Sequence, residues 1–119
     1  MQRQIIRTIK DHNTFVVTMH VNPDPDALGA ALAMTLFLRS IGKKVALVNE
    51  GPCPSWLRFM PQSRLCRALG AAQVKRSRPQ VVIVLDCGDI RRIGQVSHLF
   101  GKGIKVVNID HHVPHPLFG

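Results

Sequence analysis

Apolar residues fall along this chain in short runs separated by polar, glycine- and proline-bearing turns, and the runs alternate between strand and helix character. Ile5, Ile6 and Ile9, with Phe15 beyond them, have the spacing of a short amphipathic helix, and Asp11-His12-Asn13 turns it into a first strand at Thr14–Met19. That strand and Val81–Leu85 are almost continuously apolar, which suits strands buried on both faces of a parallel sheet. Lys44–Val48 and Lys105–Ile109 complete four predicted strands. Ala27 to Ser40 is apolar nearly all round and predicts a helix packed deeply on the sheet, with Gly42 just past its end and Arg39 and Lys43 near the negative end of its dipole. Between these lie a loop at residues 49–54, a helical turn over residues 55–61 capped by Ser55, and a short helix over residues 63–69 with Ser63 as N-cap and Gly70 as stop. Trp56 and Phe59 read as packing residues in preference to a base-stacking platform, because an isolated aromatic pair at helical spacing is usually core. Residues 86–94 read as a turn and residues 95–100 as a short helix stopped by Gly101. The alternation predicts an α/β fold: a doubly wound, mainly parallel sheet with helices on both faces and ligands beyond the carboxyl ends of the strands.

At 119 residues, with 45% hydrophobic residues, the chain is one domain's worth and needs no disulfide to hold a core. Cys53, Cys66 and Cys87 are odd in number, widely spaced and lack a Cys-x-x-Cys pair, so three free, mostly buried thiols are expected. No apolar run reaches membrane-spanning length and the N-terminus lacks a signal-peptide block, so no membrane partner and a cytoplasmic location are expected. Sixteen Lys plus Arg against seven Asp plus Glu give a net charge of +9. The acids are concentrated: Asp24, Asp26, Asp86, Asp89 and Asp110 stand at the ends of predicted strands, leaving only Asp11 and Glu50 elsewhere. A cationic body around an acidic pocket would draw in a polyanion such as a nucleotide or a short single-stranded RNA or DNA. The run Lys75-Arg76-Ser77-Arg78 reads as a solvated loop in preference to a nucleic-acid contact.

The acids are joined by imidazoles. His20-Val21-Asn22-Pro23-Asp24-Pro25-Asp26 follows the first strand and opens into the long helix, so one imidazole and two carboxylates share a turn stiffened by two prolines. Taken alone the turn admits a plainer reading, with Asp24 capping the turn and Asp26 the helix. Asp86 at the end of the 81–85 strand and Asp110-His111-His112 at the end of the last one change the balance, since parallel strands bring three such ends to a common rim. Mixed nitrogen and oxygen ligands suit manganese or zinc better than magnesium or calcium. Five or six ligands exceed the needs of one ion and suit two, roughly 3.5–4 Å apart and bridged by a carboxylate.

His20-x-x-Pro23-Asp24-x-Asp26-Ala27-x-Gly29, Asp86-Cys87-Gly88-Asp89 with Arg92-x-Gly94, and Asn108-Ile109-Asp110-His111-His112 resemble the first three motifs of the DHH phosphoesterases over nearly the whole chain. Asn49-Glu50, Pro54 and Phe59-Met60-Pro61 are similar to its NrnA-type bacterial branch, which degrades very short RNAs and dephosphorylates 3′-phosphoadenosine 5′-phosphate. The resemblance implies a two-manganese hydrolase in which His20 and Asp24 bind one ion, Asp26 and His111 the other, and Asp86 bridges them. It further implies that His112 contacts the scissile phosphate, while Asp110 orients the neighbouring imidazoles. Arg91 and Arg92 are candidates for phosphate contact or, preferably, for salt bridging beneath the site. Pro25 and Ala30 depart from the family's common Gly and Ser, a change expected to be tolerated.

The family's fourth motif and C-terminal substrate domain do not follow within these 119 residues, so the chain is expected to be an N-terminal part of a DHH domain, poor in activity by itself. Self-association, or pairing with a missing C-terminal half, is the corresponding expectation for partners. The alternatives are a non-catalytic remnant that binds metal or nucleotide, and a small basic nucleic-acid-binding protein.

Overall fold

Five parallel strands in the order β3-β2-β1-β4-β5 make the sheet of the computed structural model, which describes residues 2–69, 78–99 and 103–110. The chain runs α1 (Gln2–Asp11), β1 (Thr14–Met19), α2 (Pro25–Ser40), β2 (Lys44–Asn49), β3 (Cys66–Ala68), β4 (Val81–Leu85) and β5 (Lys105–Ile109), with 3-10 turns at Ser55–Leu57, Ser63–Leu65 and Ile90–Leu99. From β1 the chain winds outward to β2 and β3, then returns to the other side of β1 for β4 and β5. The strand order therefore reverses between β1 and β4, where a ligand crevice forms in open parallel sheets.

Strand alternation divides the core in two. Phe15, Val17, Met19, Leu47, Ile83 and Leu85 point to the face covered by Ala27, Leu28, Ala31, Leu32 and Leu38 of α2. Val16, Val48, Val82 and Val84 point to the opposite face, against Cys87, Ile93 and Val96. Each such side chain, fully buried, contributes on the order of 1.5–3 kcal/mol, so the strands flanking the reversal are the best anchored part of the molecule. The register is in step across the reversal, with Val17 opposite both Leu47 and Ile83. Thr18, fully buried, satisfies its hydroxyl by donating to the Val48 carbonyl at 2.7 Å. α2 ends as its glycine predicts: Gly42 takes φ +83°, its N–H reaches the Arg39 carbonyl and Lys43 N–H the Leu38 carbonyl.

The structure departs from the sequence expectation in five places. Residues 66–68 form a strand where a helix over residues 63–69 is predicted, because the open edge of β2 offers backbone partners that a three-residue segment takes at once: Leu47, Val48 and Asn49 pair with Cys66, Arg67 and Ala68. Ser63 is no cap; its hydroxyl donates to the Arg58 carbonyl. The predicted helix over residues 95–100 belongs to a longer 3-10 segment, Ile90–Leu99, kinked at Gly94. Trp56 and Phe59 are 60% and 76% exposed, so they do not pack in the core; Leu57 is the buried member of that turn. α2 buries one stripe, with Leu36 and Phe37 exposed. The cysteines are free, Cys53 half-buried and Cys66 and Cys87 buried. Burial pushes the Cys66 thiol up to about 12, helped by the neighbouring Cys53. Of the basic run at residues 75–78 only Arg78, exposed, lies within the described residues. No helix among the described residues is long and apolar enough to cross a membrane.

Candidate metal centre

The turn between β1 and α2 is built by its own residues. Asn22 takes φ +53°, a left-handed conformation that Asn adopts more readily than most residues, and Pro23 is buried. Asp24 is extended, at φ −94° and ψ 176°, and its Oδ1 accepts from Ala27 N–H at 2.8 Å, which makes it the N-cap of α2. Pro25 supplies the first helical residue, whose missing N–H costs nothing there. With Oδ1 engaged in the cap, Asp24 Oδ2 is turned to the His20 ring, 3.9 Å from Nε2.

His20 is 5% exposed, and its Nδ1 lies 2.8 Å from the Val21 carbonyl oxygen. A carbonyl can only accept, so Nδ1 carries the proton and Nε2 is the ring atom presented to the acids. Asp86 Oδ2 approaches it from β4, 3.7 Å away. Both separations are too long for hydrogen bonds. They are a few tenths of an ångström wider than the edges of a coordination shell, where atoms about 2.1 Å from one ion stand roughly 3.0–3.4 Å apart. His20, Asp24 and Asp86 each offer one ligand atom, all within 4.8 Å of one another. An imidazole locked in the metal-binding tautomer by a backbone carbonyl, facing two carboxylates, fits a divalent first-row cation.

The acid on β4 is held as firmly as the imidazole. Asp86 is 6% exposed and takes φ +54°, an unfavourable conformation for a residue with a Cβ, and its N–H donates to the Ile109 carbonyl at 3.1 Å. That bond ties the end of β4 to the end of β5, where Asp110 begins the third cluster. Cys87, fully buried, donates its thiol to the Asp89 carbonyl at 3.0 Å, and burial raises its pKa. Arg91 closes on the Asp89 carboxylate, Nη2 to Oδ2 at 2.6 Å, while Arg91 N–H reaches Oδ1 at 2.9 Å. These hydrogen bonds hold the Asp89 carboxyl down at about 2. Arg91 thus makes an exposed salt bridge within its own turn, not one beneath the site, and Arg92 gives its carbonyl to the N–H of Val21, beside His20.

One support was not legible beforehand. Gly94 takes φ +63° and lies against the Glu50 carboxylate so closely that a Cβ would stand 2.5 Å from Oε2. Gln95 N–H donates to Oε1 at 3.4 Å. The end of β2 is thereby latched to the segment that carries Arg92. Only the glycine inside a short polar turn hinted at it.

The structure thus brings together His20 and Asp24 of the β1–α2 turn and Asp86 from the end of β4. Asp26 stands exposed in the first turn of α2, outside this trio, and Asp110 is half-buried at the end of β5, close enough for its charge to raise the Cys87 thiol. His111 and His112 lie outside the described residues.

Residues 14–118 match the family model for the DHH family, N-terminal domain. The chain is 30% identical over 112 residues to the bifunctional oligoribonuclease and PAP phosphatase NrnA of Bacillus subtilis, covering 94% of this chain and 33% of that protein. It is 33% identical over 104 residues to the NrnA of Thermus thermophilus, covering 87% of this chain and 29% of the relative. The crystal structure of an exopolyphosphatase-related protein from Bacteroides fragilis superposes with a TM-score of 0.80 at 26% identity, over 94% of this chain and 35% of that one. The chain therefore spans about a third of the length of the proteins it matches, and by motifs, fold and family model it belongs to the DHH family, as an N-terminal domain.

Proposed function

We propose that this chain is the metal-binding part of a manganese-dependent phosphoesterase that hydrolyses short oligonucleotides, 3′-phosphoadenosine 5′-phosphate, or both. The observation that carries the reading is the convergence of His20 Nε2 with one carboxylate from its own turn and one from the end of β4, in a tautomer suited to metal. The names of the relatives, oligoribonuclease and PAP phosphatase, support the substrate class. In this reading His20 and Asp24 would hold one ion, Asp26 and His111 would hold a second, and Asp86 would serve both. A divalent cation bound there supplies positive charge to a phosphoryl oxygen and lowers the pKa of water. His112 contacts the scissile phosphate and Asp110 steadies the imidazoles beside it. The surplus of basic residues favours approach of an anionic substrate.

The test is manganese uptake by calorimetry, together with phosphate release from 3′-phosphoadenosine 5′-phosphate and nucleotide release from dinucleotides. Tight uptake, weakened at least tenfold in Asp86→Asn, with manganese-dependent release lost in the same variant, is the expected result. Uptake without release of either product would leave a metal-binding remnant and end the enzymatic reading of this chain.

A further inference from the structure

The Ser55–Leu57 turn carries a surface that the metal centre does not use. Successive bonds from Leu57 to Pro54, Arg58 to Ser55 and Met60 to Leu57 continue 3-10 winding to residue 60, and in that winding residues three apart share a side. Leu57 and Met60 take the inward side, Leu57 fully buried and Met60 packed against the core. Trp56 and Phe59 take another side and are the two most exposed large apolar residues among those described. Arg58 lies between them in sequence and lines a cavity of about 660 Å³, together with Met60, Arg64 and Arg67. No acidic residue among those described lines it, and its volume is in the range of small-ligand sites. The surface is joined to the metal-binding helix, since Met60 Cε stands 3.5 Å from where a Cβ on Gly29 of α2 would be.

We propose that this turn and its arginine-lined cavity bind the body of a single-stranded oligonucleotide, with bases on Trp56 and Phe59 and phosphates at Arg58, Arg64 and Arg67. Exposed aromatic faces and a guanidinium-lined cavity carried by one short turn suit an unstacked strand, since every base has a π-face and every linkage a negative charge. Two bare aromatics could equally take an apolar protein partner. Three arginines without an acid, in a chain of net charge +9, select the polyanion. The proposal rests on the phosphoesterase reading for its choice of a nucleotide polymer, and it places the length-dependent part of recognition outside the metal centre.

Trp56 is the only tryptophan and there is no tyrosine, so intrinsic emission reports on this surface alone. The 119-residue chain in EDTA is titrated with a pentamer of adenylate, and Trp56 emission is followed. Saturable quenching is expected, with a salt slope of about −2 on a log–log plot, reduced by roughly 0.7 in each of Arg58→Gln, Arg64→Gln and Arg67→Gln. With a labelled pentamer, Phe59→Ala weakens binding roughly tenfold. Asp86→Asn binds as the parent does, which separates this surface from the metal centre. No quenching overturns the proposal, as does equal quenching by adenosine monophosphate at the same concentration. A blue shift that grows with protein concentration, together with loss of quenching, would mean that a second copy covers the aromatics, and overturns it too. Quenching without manganese-dependent hydrolysis would sink the phosphoesterase reading and leave this proposal standing; hydrolysis without quenching would do the reverse.

Discussion

Asp24 spends its two oxygens on different tasks, one capping α2 through Ala27 N–H and the other facing His20. Substitutions can separate them. Asp24→Ala removes both, and should lower stability by about 1 kcal/mol and weaken manganese binding; Asp24→Ser restores the cap, so urea unfolding should return to within a few tenths of a kcal/mol of the parent while metal affinity stays low. Equal metal affinity in the two proteins and the parent would show that Oδ2 is not a ligand. Asp89 offers a second residue-scale test. Its folded pKa, about 2, lies below its usual value of 3.8, so its pairing with Arg91 stabilises fully above pH 4 and is lost as pH falls through 2. Stability measured between pH 4 and pH 2 should fall less steeply in Asp89→Asn. His20, Asp24 and Asp86 were legible as a converging group because the ends of neighbouring parallel strands meet at one rim, whereas Asp26 stands outside that group. The division of labour within Asp24 was not, because a cap and a metal ligand are both good reasons for an aspartate after a strand.

At the scale of elements, β1, β4 and β5 were legible to the residue as apolar runs bounded by turn formers. β3 was not: nothing in Cys66-Arg67-Ala68 requires a strand, and its conformation is chosen by the free edge of β2. The same limit hid the latch between Glu50 and Gly94, whose partners are 44 positions apart in sequence and meet only once β2 and the Ile90–Leu99 segment are in place. The latch is testable. Gly94→Ala meets a backbone at φ +63°, and its new methyl displaces the Glu50 carboxylate from the latch, so the backbone strain alone should cost about 1–3 kcal/mol in urea unfolding. Because Arg92, two residues before it, holds the N–H of Val21, manganese affinity should fall as well. Loss of stability with unchanged affinity would confine the latch to packing.

For the molecule as a whole, the site lies at the reversal of strand order, and its three converging residues come from the end of β1, the N-cap of α2 and the end of β4. Asp86 is 62 residues from Asp24 in sequence and meets it only on folding, so a cation that binds the trio binds the folded state and raises its stability by RT ln(1 + [L]/Kd). At a hundredfold excess of manganese over Kd this is about 2.7 kcal/mol. In a chain of 119 residues each kcal/mol moves Tm by about 4 °C, so a rise on the order of 10 °C is expected in a thermal melt. Asp86→Asn is the fitting control: Asn tolerates the left-handed backbone at that position, so the apo melt should change little while the manganese-induced rise shrinks to a few degrees. A rise of the same size in the variant would mean that the ion binds elsewhere on the surface. A parent protein whose melt ignores manganese would mean that the rim of imidazole and carboxylate is a polar seam between strands and not a metal centre.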